Sequence, residues 1–383
     1  MKIAQVVNTF PPVHGGMGIV CFYYARELAA LGHEVTVFTV DYGLPSGHED
    51  PASVRVERLQ PVARYGDGAW LPQLASRLRA FDVTHLHYPF YGGAEFVCSA
   101  AGRCGIPYLL TYHMDSYGNN RLKKGLIFLY EAVLLRRLFA RAAAVTSPGV
   151  AYLRTTKAAR RVQWEKVADL RHAGVDTDRF RPRPKDPSLV AQHDLAGKTV
   201  VLFVGNPQPF KGLHLLIDAV AGLADKTVVL LVVGGGYGER RYRKQALARG
   251  AGRRVIFAGA QSPDRDLPAY YNLADLLVLP STHSESYGLV VLEAMASGKP
   301  AIVSALPGPA QLVRDGTDGA IVRVNDADHL RQKLEQFAAD PALRARMGDA
   351  ARRKVLAEYT WPHIGRQLEQ VLARIAGSGG HAS

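Results

Sequence analysis

Residues 280–300 read PSTHSESYGLVVLEAMASGKP, and the order of proline, acid, glycine and apolar positions in this stretch decides how the chain folds. The preceding residues 274–279, ADLLVL, form an apolar run ended by Pro280, the pattern of a buried strand. Residues 289–296 read as a helix, and Gly288 supplies the turn between the two. A strand, a glycine turn and a helix start leave unpaired amides and a positive dipole end where an anion can sit. Ser286, Tyr287, Gly288, Leu289 and Val290 would surround that anion. Glu285 lies in the loop before the pocket, and Glu293 about a turn into the helix behind it. Two carboxylates do not hold a phosphate, but they accept hydrogen bonds from hydroxyls on either side of one. A sugar joined through a diphosphate to a ribose has that layout.

Working outward, short apolar β-branched runs alternate with amphipathic stretches along the chain. Strand-like segments occupy 3–7, 34–39, 83–87, 108–112 and 143–147, then 199–204, 228–233, 254–258, 276–279, 300–304 and 320–322. Helical stretches fall at 19–30, 126–142, 213–224, 268–272, 289–296 and 327–338. This β-α-β rhythm implies an α/β protein with doubly wound parallel sheets covered on both faces. The rhythm pauses at 179–198, whose three prolines and mixed charges read as a linker, and 383 residues exceed one ordinary core. Two domains are expected, 1–185 and 186–360, each binding ligand at the carboxyl ends of its strands. A last helix is expected over 362–375, followed by a disordered Gly-Ser-Gly-Gly tail.

Composition narrows the partners. The chain is 48% apolar and 21% charged, as in soluble globular proteins. Its three cysteines form no metal spacing and suit a reducing cytoplasm. No signal-peptide pattern opens the chain, and no apolar run is long enough to span a bilayer. The net charge of +13 favours phosphorylated substrates or anionic lipid headgroups; nothing beyond that charge points to nucleic acid. It is densest at 121–141, where six basic residues and one acid, Glu131, surround apolar ones. That segment suits either an interfacial helix on an anionic membrane surface or an ordinary domain helix.

Further candidate residues lie at predicted strand ends. Gly15, Gly16 and Gly18 follow the first strand and precede a helix, where missing side chains allow close approach of a ligand to free amides. Their spacing is not that of the dinucleotide-binding fingerprint. His113 and Asp115 follow the strand 108–112, and His113 is a candidate for a hydroxyl contact. The acid-x-acid triplets at 176–178, 264–266 and 326–328 read as caps and turns, and no metal site is expected.

The 280–300 segment resembles the signature of the retaining glycosyltransferases of family 4, with the Glu285–Glu293 spacing and the following Ala-Met-Ala-Ser-Gly-Lys-Pro. The glycine loop, His113, Lys211, the glutamate pair and the Trp361 helix occur in the family's order. The resemblance implies the GT-B fold, two Rossmann-like domains facing across a cleft, with the C-terminal helix 361–383 returning to the first domain. It implies transfer of a sugar from a nucleotide-diphosphate sugar, UDP-sugar or GDP-mannose, to the hydroxyl of a carbohydrate or lipid-linked acceptor. It assigns donor-sugar hydroxyls to Glu285 and His113, the ribose to Glu293, and the diphosphate to Lys211 with the Gly15–Gly16 loop. Gly205 and Gly234 would line the nucleotide site; Asp115, by its place after the strand 108–112, would touch the acceptor or the sugar. Asn206 stands where the family carries an arginine, removing one charge-assisted phosphate contact. No cofactor or metal is implied, and the setting is polysaccharide or glycolipid assembly in the cytoplasm, peripheral on the membrane's inner face. The competing reading is an NAD-type or nucleotide-sugar-modifying Rossmann enzyme such as an epimerase or oxidoreductase.

Overall fold

A computed structural model describes residues 1–13, 15–43, 50–65, 68–116, 121–236, 238–262 and 265–379, the side chains of 121–124, 126, 378 and 379 excepted. The chain divides into two compact units, Met1–Ala173 with Trp361–Ser383, and Gly174–Thr360.

The first unit runs β1 (Lys2–Val6), α1 (Gly16–Ala30), β2 (Glu34–Val40), β3 (Arg55–Leu59), the hairpin β4 (Ala63–Tyr65) and β5 (Gly68–Trp70), and α2 (Leu74–Arg77). It continues with β6 (Val83–Tyr88), α3 (Ala94–Cys104), β7 (Tyr108–Tyr112), α4 (Arg121–Arg141), β8 (Ala144–Thr146) and α5 (Val150–Thr155). Its main sheet has the order β3-β2-β1-β6-β7-β8, parallel throughout. All six residues of β6 are buried, as expected of a central strand with both faces covered.

The second unit runs α6 (Pro187–Gln192), β9 (Thr199–Val204), α7 (Leu213–Gly222), β10 (Val228–Val233), α8 (Glu239–Ala248), β11 (Val255–Gly259), α9 (Leu267–Leu273) and β12 (Leu276–Leu279). Then come α10 (Leu289–Ala296), β13 (Ala301–Ser304), α11 (Pro307–Ala310), β14 (Gly319–Val322), α12 (Ala327–Ala339) and α13 (Pro341–Glu358). The sheet order β11-β10-β9-β12-β13-β14 repeats the topology of the first. The closing helix α14 (Trp361–Gly379) belongs to the first unit, where Trp361 stacks on Tyr23 of α1 at 4.4 Å. In each sheet the winding reverses at the centre, between β1 and β6 and between β9 and β12. At such a reversal the loops leaving adjacent strand ends diverge and open a crevice.

Three expectations need correction. The stretch 179–198 is not a free linker: Pro187 starts α6, where its missing amide costs nothing, and Asp186 caps the helix through Ser188 N at 2.8 Å. Arg183 N bonds to Asn272 Oδ1 at 2.8 Å and Lys185 pairs with Asp275 at 3.0 Å, so the segment is tied to the second unit. The glycine-rich tail is helical as far as Gly379. The 18-residue helix α13 went unanticipated because Gly348 and Lys354 occupy interior positions and blur its apolar stripe. Lys354 is neutralised there by Asp318 at 3.1 Å. Of the acid-x-acid triplets, Asp176 accepts the amides of Asp178 and Arg179, and Asp326 caps α12 through His329 N. Asp264 lies outside the described residues.

Candidate active site

At the central reversal of the second sheet, the loop after β9 is pressed onto the loop after β12. Gly212 makes this approach feasible: its φ is +72°, and a Cβ there would meet the Pro280 carbonyl oxygen at 1.9 Å. Thr282 N then donates to Phe210 O at 2.7 Å, fastening the two loops. Lys211 Nζ comes 2.5 Å from Glu285 Oε2, and Ser281 Oγ donates to the same oxygen at 3.0 Å. Glu285 Oε1 takes no hydrogen bond among the described residues. The Lys211 and Glu285 side chains are only 21% and 10% exposed, so their attraction is little screened by water.

Directly downstream, α10 begins at Gly288, whose φ of +99° favours glycine and which offers no side-chain cap. The Leu289 and Val290 amides meet no acceptor among the described residues, leaving the positive end of this helix available to an anion. Ser286 is half-buried and Tyr287 is buried. One turn into α10, Glu293 accepts a hydrogen bond from the Tyr271 hydroxyl at 2.5 Å. Burial raises the Glu293 pKa, while the Tyr271 hydroxyl and the Arg179 charge oppose the rise. The loop after β10 lies against the loop after β9, since a Cβ on Gly234 would sit 2.1 Å from Gly205 O. Asn206 is exposed beside Gly236. The structure therefore gathers Lys211, Glu285, Gly288, Leu289, Val290 and Glu293 at one edge of the second sheet, with Gly205, Asn206 and Gly234 beside them.

In the first unit, the loop after β1 carries Gly15 and Gly16 into α1. A Cβ on Gly16 would meet no atom within 4 Å, whereas one on Gly18 would sit 2.5 Å from Thr9 O. Gly18 is thus required by the fold and Gly16 is not. His113 follows β7 and is buried, its Nε2 2.9 Å from His87 Nδ1, while His87 Nε2 meets Gln5 Oε1 at 2.9 Å. The His172 ring stands edge-on to His113 at 4.8 Å, and His85 lies 4.3 Å from His87. Burial, with the neighbouring imidazoles, holds His85, His87 and His113 well below the usual histidine pKa; burial lowers His172 to about 3. The cluster is neutral near pH 7, and a neutral imidazole can exchange hydrogen bonds with a hydroxyl but adds no charge for an anion. Asp115 is already engaged, accepting from the Tyr112 hydroxyl at 2.7 Å and from Lys157 N at 3.1 and 3.2 Å. It anchors the chain leaving β7.

Sequence reasoning missed Ser281, Tyr271, His87 and His172. The first two are small or aromatic residues outside the quoted acid–glycine pattern. His87 sits in a strand and reads as core, although two histidines at alternate positions, His85 and His87, were a visible signal that one sheet face is polar.

Comparison with known proteins bears on the whole chain. Residues 187–354 match the family described as "Glycosyl transferases group 1", and residues 15–168 match a "Glycosyl transferase 4-like domain". A D-inositol 3-phosphate glycosyltransferase of Frankia alni is 31% identical, over 88% of this chain and 89% of that one. A GDP-mannose-dependent alpha-(1-6)-phosphatidylinositol monomannoside mannosyltransferase of Mycolicibacterium smegmatis is 28% identical, over 96% and 97%. Among solved structures, sucrose-phosphate synthase from Thermosynechococcus elongatus superposes with a TM-score of 0.79 at 25% identity, covering 98% of this chain and 99% of that one. Two Rossmann-like units, each with a parallel six-stranded sheet, agree with this likeness. The chain is a GT-B glycosyltransferase of the glycosyl transferases group 1 family.

Proposed function

We propose that this glycosyltransferase moves a hexosyl group, with retention of configuration and without a metal ion, from a nucleotide-diphosphate sugar to an acceptor hydroxyl. The observation that carries the reading is the Lys211–Glu285 pair set against the uncapped start of α10. Lys211 and the Leu289 and Val290 amides supply positive charge and donors for a diphosphate, so a metal has no required role. Glu285, with one oxygen held by Lys211 and Ser281, turns the other to a sugar hydroxyl. Glu293, fixed by Tyr271, accepts from a ribose hydroxyl, and His113 offers a neutral imidazole to the sugar. The bond from the anomeric carbon to the diphosphate oxygen breaks as the acceptor oxygen bonds to that carbon on the same face. The acceptor's proton passes to the departing phosphate oxygen. Charge developing on the diphosphate is met by donors already in place, each worth roughly 3 kcal/mol.

The acceptor we assign to this enzyme is lipid-linked, at the anionic inner face of a membrane, as in glycolipid or polysaccharide assembly. Support comes from the net charge of +13, the basic helix α4, and a relative whose name specifies a phosphatidylinositol-based acceptor. Among the described residues no helix is long and apolar enough to cross a membrane. The test is a screen of UDP- and GDP-sugars by thermal shift and by release of free sugar, with and without EDTA. One nucleotide sugar should stabilise the protein and turn over regardless of chelator, and Glu285→Ala and Glu293→Ala should abolish turnover. Stabilisation by NAD alone, or turnover surviving both substitutions, would sink this reading.

A further inference from the structure

The helix α4 carries two different surfaces. Leu134, Leu135, Leu138 and Phe139 are buried in the first unit's core, which makes it a structural helix on that side. On the other side Phe128, Leu129 and Val133 are 70%, 66% and 53% exposed. Leu129, Val133 and Arg137 follow one another at four-residue spacing and so share one face. Apolar side chains this exposed, in series and ending in arginine, are unusual for a water-facing helix.

Beside that face, between α3 and α4, lies a cavity of about 350 Å³ whose lining includes Ser99, Arg103, Arg137 and Arg141, with Glu95 and Leu134 also on its wall. None of the three arginines forms an ion pair among the described residues. Arg141 is oriented by a bond to Cys98 O at 3.2 Å. The Glu95 carboxylate on the wall forms no ion pair with them among the described residues, its hydrogen bonds coming from Gly92 N at 2.9 Å and the Tyr130 hydroxyl, and its single negative charge leaves the three guanidinium groups in excess. Three guanidinium groups around one cavity repel each other unless an anion joins them, and their planar forks suit phosphate oxygens.

We propose that this cavity binds the phosphate headgroup of an anionic phospholipid, with Leu129, Val133 and Phe128 seated at the acyl boundary. The helix then lies along the membrane surface, and the arginines reach from its flank into the headgroup layer. The proposal rests on the membrane-surface part of the proposed function and gives it a site and a ligand class. It is independent of which sugar is transferred.

The experiment is co-sedimentation of the full chain with phosphatidylcholine vesicles, with or without phosphatidylglycerol. Binding should require phosphatidylglycerol. Diffuse attraction predicts about fivefold weaker binding for any single arginine removed near the surface. The cavity predicts inequality: Arg137→Gln and Arg103→Gln should each weaken binding tenfold or more beyond the effect of Arg136→Gln, which lies on α4 outside the cavity. Leu129→Ser with Val133→Ser, exposed positions that the fold does not need, should abolish binding while leaving circular dichroism unchanged. Equal losses for Arg136→Gln and Arg137→Gln overturn the headgroup site. Binding intact after the double serine change overturns the apolar contact. Thermal stabilisation by glycerol phosphate without vesicle binding overturns the lipid source in favour of a soluble phosphate. Donor hydrolysis measured on the same variants should not change, which separates failure here from failure of the glycosyltransferase mechanism.

Discussion

The carboxyl edges of the two sheets share a topology and differ in chemistry. At the second, a lysine, two carboxylates and an uncapped helix start are only partly buried. At the first, four histidines and a glutamine are almost wholly buried and carry no net charge near pH 7. The same backbone plan therefore builds one edge suited to phosphate charge and another suited to hydroxyls. The lesson is that a parallel sheet supplies the place for a ligand, and the few side chains at the central reversal decide its chemistry.

Acid should separate the two edges most strongly. A histidine whose folded pKa is depressed binds its proton in the unfolded chain first, so its contribution to stability is complete above the ordinary value of 6.5. That contribution is lost as the pH falls toward the folded value, about 3 for His172. Each of His85, His87, His113 and His172 can remove up to roughly 1.4 kcal/mol per pH unit below that point. Hydrogen exchange at pH 7 and pH 5 should show β1, β6 and β7 losing protection well before β9 and β12. Equal loss in both sheets would show that the cluster does not control the first unit's stability.

Removing charge tests the other edge. Lys211→Met should lower kcat by about 10²–10³-fold, or roughly 3–4 kcal/mol, and should also lower the melting temperature, since it leaves the mostly buried Glu285 carboxylate without its counter-charge. A reduction confined to KM would mean that Lys211 only binds the donor and does not stabilise the leaving group.

The smallest expected effect contrasts one glycine from each edge. Gly288→Ala puts a side chain at φ +99° and 3.0 Å from Leu279 Cδ2, so it should destabilise by about 1–2 kcal/mol. Gly16→Ala meets nothing within 4 Å and should leave stability within about 0.5 kcal/mol while still impairing turnover. Unimpaired turnover would remove Gly16 from the ligand's path. Thermal melts and initial rates on both variants decide the matter.

Much of the fold could be read in advance because parallel strands buried on both faces are continuous apolar runs, such as 199–204 and 228–233. Among the helices that escaped notice, α3 buries mostly small residues beside Val97, α8 buries Tyr242 and Ala246 alone, and α13 has Gly348 and Lys354 interrupting its buried stripe, so none shows a long row of large apolar residues. The site was legible where spacing along one segment carries it: Glu285, Gly288 and Glu293 lie within nine residues.

By itself the sequence determined the β-α-β succession and the strand–glycine–helix unit at 276–296, since both depend on local periodicity and turn chemistry. Only the tertiary structure decided that Lys211 meets Glu285 across 74 positions, that His87 supports His113 across 26, and that Asp115 is consumed in anchoring a turn. These partnerships arise from parallel strand order and loop packing, which juxtapose residues irrespective of their separation along the chain. Residue types alone carry no record of that geometry.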